Sequence, residues 1–201
     1  MPFCPEHDRT GPTSRCRNER RVHNMRMLIQ PGIRIPSSTF AEITAGELHI
    51  GQSDELLAGK RIAVIGVPAP FLSVCTQVHL SKFLEMAPKI LAFGFDITGC
   101  ISFNDSWSLT AWGKQIDPDD CLRFLSAGNL DFGHACCLIA THKKFFLGTC
   151  LAPLSMIARD RVVERLAVER SILKVTCSSD PVLEVTKRPT ACDLGERRDG
   201  A

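Results

Sequence analysis

The run Arg61-Ile-Ala-Val-Ile-Gly-Val-Pro-Ala-Pro-Phe-Leu-Ser-Val-Cys75-Thr76 decides the fold. Ile62 to Val67 is continuous, apolar and rich in β-branched residues, the pattern of a central strand buried on both faces. It breaks at Pro68 and Pro70, and the chain then delivers one thiol, Cys75, to the first turn of a helix. The unpaired N–H groups and positive dipole end of a helix stabilise a thiolate, the nucleophilic form of cysteine. A packed structural cysteine gains nothing from that place. Proline turns between strand and helix are nevertheless common, so this spacing by itself leaves both readings open.

Downstream of Cys75, Leu80, Phe83, Leu84, Ala87 and Leu91 fall at helical spacing, giving a helix with one core face that Pro88 should kink or split. Ile97 to Phe103 reads as a second buried strand, and Asn104-Asp105 is placed to cap a helix holding Trp107, Leu109 and Trp112. Strand, crossover helix, strand implies a parallel pair. Leu122 to Leu125 reads as a third strand, and residues 129–139 as a helix whose apolar side includes Leu130, Phe132, Cys136 and Leu138. Leu154 to Ala158 and Val162 to Val168, joined across Arg159-Asp160-Arg161, form an antiparallel hairpin.

Upstream, short apolar pieces from Ile29 to Ile43 are separated by Pro31-Gly32 and Pro36, which suggests an irregular edge or hairpin. Ser53 is placed to cap a short helix over Asp54 to Ala58, ended by Gly59-Lys60. A last helix starts at Ser178 or Ser179 and runs through Val182, Leu183 and Val185. No internal repeat is visible. The order is an α/β one, a mixed central sheet flanked by helices with a βαβ start and a terminal hairpin, compatible with a thioredoxin-like fold.

The 201 residues suffice for one domain of ordinary size. No stretch reaches the roughly 18 to 20 consecutive apolar residues that span a bilayer, so a soluble protein without a membrane partner is expected. The net charge of +2 is uneven, because residues 1–27 carry six arginines against Glu6, Asp8 and Glu19. That leaves a slightly acidic interior and removes the electrostatic case for nucleic-acid binding. Residues 1–26 are polar, proline-dotted and aperiodic, and read as a disordered extension rather than a targeting segment. The domain then spans 27–185, followed by a polar tail, 186–201.

Ten cysteines is a high count, but no apolar leader of the secretory kind precedes them. They read as thiols of a reducing compartment, the cytoplasm. No Cys-x-x-Cys occurs, so a zinc ribbon has no support. The vicinal pair Cys136-Cys137 beside His134 does not assemble four ligands and reads as small core residues, with no metal.

Gly66-Val-Pro-Ala-Pro-Phe-Leu-Ser-Val-Cys75-Thr-Gln-Val-His-Leu80, followed by Gly99-Cys-Ile-Ser-Phe-Asn-Asp105 and Ala111-Trp-Gly-Lys114, resembles the type-five peroxiredoxins. The similarity covers about residues 27–185. It implies that Cys75 is the peroxide-attacking nucleophile and Pro68 the proline that shapes its pocket, within a Pro-x-x-x-Thr-x-x-Cys motif. The threonine position holds Leu72, which cannot hydrogen-bond a thiolate or a peroxide. Alignment of Leu154-Ser-Met-Ile-Ala-Arg-Asp160 places Pro153 where the family has its arginine.

Arg159 lies six residues further along, roughly 20 Å at strand rise, too far to stand in. Lys143 and Lys144 precede the strand, but a lysine lacks the planar fork of arginine. Val175-Thr-Cys177 resembles the segment bearing the resolving cysteine of the vertebrate-type members; the alternative is a chance cysteine among ten. Cys100 matches a position often held by a non-essential cysteine, while His79 and Trp112 read as supporting and packing residues.

The resemblance therefore implies a thiol-dependent peroxidase acting on hydrogen peroxide or alkyl hydroperoxides through a sulfenic acid, with weakened activity. It needs no cofactor, takes electrons from thioredoxin, glutaredoxin or glutathione, and allows a homodimer. The competing reading is a catalytically impaired module that keeps the fold and serves redox sensing or protein binding.

Overall fold

The computed structural model describes residues 27–73, 80–169 and 182. Its centre is a seven-stranded mixed sheet: β1 (Thr39–Thr44), β2 (Glu47–Gln52), β3 (Arg61–Gly66), β4 (Ile97–Ser102), β5 (Arg123–Ser126), β8 (Leu154–Arg159) and β9 (Val162–Val168). In space the order is β2-β1-β5-β4-β3-β8-β9. β3, β4 and β5 run parallel, as the crossover pattern requires, and β8 lies antiparallel against β3 with Arg61 opposite Arg159 and Gly66 opposite Leu154.

The period-two alternation of β3 splits the core in two. Ile62 and Val64 face one cluster with Ile101, Met156, Phe132 and Leu138. Ala63, Ile65 and Val67 face the other, where α2 (Ser81–Ala92) contributes Phe83, Ala87 and Ile90 and α3 (Ser106–Ile116) contributes Leu109 and Trp112. α2 runs through Pro88 as one helix, so of the kink or split expected there the split does not occur. Val182 is the one described residue of the expected C-terminal helix, and it is buried in this second cluster. No helix among the described residues is long and apolar enough to cross a membrane.

α3 is capped as its sequence predicts. The Asp105 carboxylate accepts from the Ser108 backbone N–H at 2.8 Å and from the Ser108 hydroxyl at 2.7 Å. These bonds favour the ionised form and hold the Asp105 carboxyl below its ordinary value.

Three local expectations need correction. Ser53 does not cap α1 (Ser53–Leu56) but begins it. Its hydroxyl instead donates to the Pro36 carbonyl at 3.2 Å and accepts from the Ser38 N–H at 3.1 Å, pinning the entering chain. Of the irregular edge or hairpin expected from Ile29 to Ile43, residues 32–35 form the irregular edge, with Gly32 and Ile35 N–H donating to the Val163 and Arg161 carbonyls, and the hairpin comes later, as β1 and β2 around Ala45-Gly46, both at positive φ. The helix expected over 129–139 is only α4 (Asp131–Cys136), because Cys137 turns into the left-handed region at φ 54°. The chain then makes a short hairpin, β6 (Ile139–Thr141) and β7 (Thr149–Leu151), that no pattern announced.

Candidate active site

The three parallel strands end along one edge of the sheet. There Val67 donates its N–H to the Ile101 carbonyl at 2.9 Å, the last rung before the prolines. Gly66 must be a glycine: a Cβ there would lie 2.7 Å from the Leu154 side chain and 2.8 Å from that of Leu151. Those two leucines thus reach the strand's backbone, and Pro68 follows, buried.

After Pro70 the chain turns through Phe71 at φ 61°, a region that bulky residues seldom adopt. The Phe71 ring is 58% exposed and leans on Trp112, centroids 6.5 Å apart. Trp112 is buried, and its other neighbour is Phe124, edge-on at 6.0 Å. The indole Nε1 has no hydrogen-bond partner among the described residues. Leu72 is half-buried and packs on the same cluster as Trp112. Trp112 packs, as expected from its place in the motif. Cys75 and His79 fall between Ser73 and Leu80, outside the described residues, and so does Cys177.

Pro153 is one residue before β8, whose first residue Leu154 pairs with Gly66. One further step of that register sets Pro153 opposite Val67, one residue from Pro68. It is buried, and its carbonyl accepts the Glu169 N–H at 2.8 Å. A proline there brings neither a charge nor an N–H. Arg159 sits at the opposite end of β8, roughly 20 Å from Pro153 at strand rise, where it pairs with Glu164 at 3.0 Å. Lys143 and Lys144 are exposed in the turn of the β6–β7 hairpin and make no ion pair with a described residue.

Three of the described thiols outside this edge are held in their protonated form. Burial pushes Cys136 up to about 12, with the neighbouring Cys137 adding to it. Burial also raises Cys150, and desolvation together with Asp117, Asp119 and Asp120 raises Cys121. A thiol so placed is protonated at neutral pH and unreactive towards peroxide. Cys100 is buried on β4. No group of three or more candidate metal ligands occurs among the described residues.

A cleft of about 790 Å³ lies between the β1–β2 turn and α3, lined by Glu42, Lys114, Asp117 and Arg123 among others. Arg123 and Glu42 neutralise each other in a bidentate pair, with Nε to Oε2 at 3.1 Å. None of Pro68, Leu72 and Pro153 lines this cleft.

Comparison with known proteins finds relatives along most of the chain. The Redoxin family profile matches residues 30–180. The rice protein Peroxiredoxin-2E-2, chloroplastic, is 30% identical over 161 residues, covering 78% of this chain and 72% of its own. Peroxiredoxin-2B of Arabidopsis thaliana is 27% identical over 157 residues, covering 78% and 97%. Among solved structures, reduced Prx3 of Vibrio vulnificus in complex with hydrogen peroxide superposes with a TM-score of 0.67 at 27% identity, over 71% of this chain and 89% of that one.

Proposed function

Because the chain belongs to the redoxin family and, within it, to the peroxiredoxins of the thioredoxin-like superfamily, we propose that Cys75 is the peroxide-attacking thiol of a peroxidase weakened by Leu72 and Pro153. The observation that carries the second half is the register of β8 on β3, which brings residue 153 beside the Val67-Pro68 corner. The raised thiols of Cys121, Cys136 and Cys150 count against those three as the nucleophile, and the first half otherwise rests on the family motif around Pro68 and Cys75.

In the proposed reaction the Cys75 thiolate attacks the distal oxygen of a hydroperoxide. The S–O bond forms as the O–O bond breaks, and the leaving alkoxide or hydroxide is protonated and departs as alcohol or water. Cys177, or an external thiol, then attacks the sulfenic sulfur, expelling water and forming a disulfide. Thioredoxin, glutaredoxin or glutathione returns both sulfurs to thiols by exchange. Pro68 walls the pocket. We assign this chemistry to the cytoplasm; the rice relative, by contrast, is named as chloroplastic.

A charge-assisted hydrogen bond lost from a transition state is worth roughly 2–3 kcal/mol, about a hundredfold in rate, and a neutral one about tenfold more. A deficit of that size leaves measurable turnover in a fast family. The same two residues support a second reading, an impaired module for redox sensing or protein binding. Steady-state peroxide consumption with a thioredoxin system separates the two: slow turnover abolished by Cys75→Ser is expected, and no turnover above that variant would reject the peroxidase. Trapping the sulfenic acid with dimedone after one equivalent of peroxide should label Cys75 first; labelling centred on another cysteine would reject the assignment.

A further inference from the structure

The β6–β7 hairpin ends in a turn that no part of the proposed chemistry uses. Phe146 at its tip is 99% exposed and sits at φ 54°, where a bulky side chain is strained. The turn is not slack. His142 N–H donates to the Gly148 carbonyl, Phe145 N–H to His142 and Phe146 N–H to Lys143, each at 3.1 Å. Phe145 is also exposed, as are Lys143 and Lys144. The sequence carries no aspartate or glutamate between Asp131 and Asp160, so nothing on this stretch offsets the two lysines.

A lone exposed phenylalanine needs no explanation. A strained one, held on a convex basic tip beside a second, breaks local rules without a visible gain to the fold. We propose that the 142–148 turn is a docking finger for an anionic lipid surface. Phe146 and Phe145 would enter the boundary between headgroups and acyl chains, while Lys143 and Lys144 meet the phosphates.

A convex tip of a few residues falls far short of the roughly 800 Å² per partner of a stable protein contact. A bilayer interface, in contrast, needs no matching pocket. Such docking requires no spanning segment, and it departs from the expectation, drawn from hydropathy, of no membrane partner. Each lysine near an anionic surface contributes about fivefold in partitioning, and burying a phenylalanine about tenfold or more. The attachment is therefore weak, reversible and salt-sensitive.

Co-sedimentation of the full chain with phosphatidylcholine vesicles, with and without phosphatidylglycerol, tests this. Binding is expected only with the anionic lipid and should fall as salt is raised. Phe146→Ser should weaken it about tenfold, and Lys143→Glu with Lys144→Glu by more than about twentyfold. No binding by the unmodified chain overturns the proposal. So does binding that both variants retain, since the arginines of residues 1–27 would then carry it. A drop in solution mass by light scattering in Phe146→Ser overturns it too, because the tip would then belong to a contact between copies of this chain.

Discussion

Phe71 rests on Trp112, so α3 braces the turn that follows Pro70. Trp112 fills the volume between that turn and Phe124. Trp112→Ala should cost about 3–5 kcal/mol, the range for a large buried aromatic, measured by urea denaturation. Phe71→Gly exchanges a half-exposed ring contact for relief at φ 61°, and a net change within about 1 kcal/mol is expected. A loss from Phe71→Gly as large as that from Trp112→Ala would show that the turn is held by the ring and not by its backbone.

At Gly66 the crowding by Leu151 and Leu154 makes a stricter demand. Gly66→Ala should destabilise by about 1–3 kcal/mol, because both leucines must leave their rotamers or β8 must shift. A lowered urea midpoint at unchanged slope is the expected result. A neutral effect would mean that the leucines yield freely.

Restoring the two polar groups at the proline edge tests the proposed cause of slow turnover. Leu72→Thr with Pro153→Arg should raise the second-order rate with hydrogen peroxide by about a hundredfold or more. The double variant also regains an N–H at residue 153, so its fold must be checked by circular dichroism. A well-folded double variant no faster than its parent would reject the idea that these two positions limit the rate.

Cys136 supplies a pH test. Its folded value, about 12, stands above that of an unfolded thiol, so the folded state holds the proton over a range where the unfolded chain releases it. The associated stability is complete below the unfolded value of about 8.5 and is lost as pH rises towards the folded one. Thermal midpoints should accordingly fall above about pH 9, and less steeply in Cys136→Ala. Iodoacetamide at pH 8 should spare Cys136 until the protein is denatured. Rapid native labelling would contradict the burial.

The strands that organise the site were legible because each buries a continuous or alternating apolar face: β3, β4, β8 and β9 appear in sequence within a residue or two of where they lie. The Asp105 cap was legible through its own chemistry. β2 was not, since its residues are almost all exposed and carry no apolar face for a pattern to show. β6 and β7 have three residues each, too few for any period. The shortening of α4 hangs on one backbone angle at Cys137, to which hydrophobic spacing is blind. At the site, Pro68 could be read from a local motif. Pro153 required an alignment, because the register that brings it to Pro68 joins segments some 85 residues apart, Gly66 and Leu154 being the last pair.

Leu72 and Pro153 stand outside the strands, in the connections just past the ends of β3 and before β8. Changes at such positions leave the strand ladders of the sheet in place, although Leu72 packs on one hydrophobic cluster and Pro153 is buried. On the proposed reading, a chain can lose chemical competence there and still keep its sheet. Screens that score variants by abundance or melting temperature would not detect the loss, and drift at these positions would go unopposed until selection acted on peroxide itself.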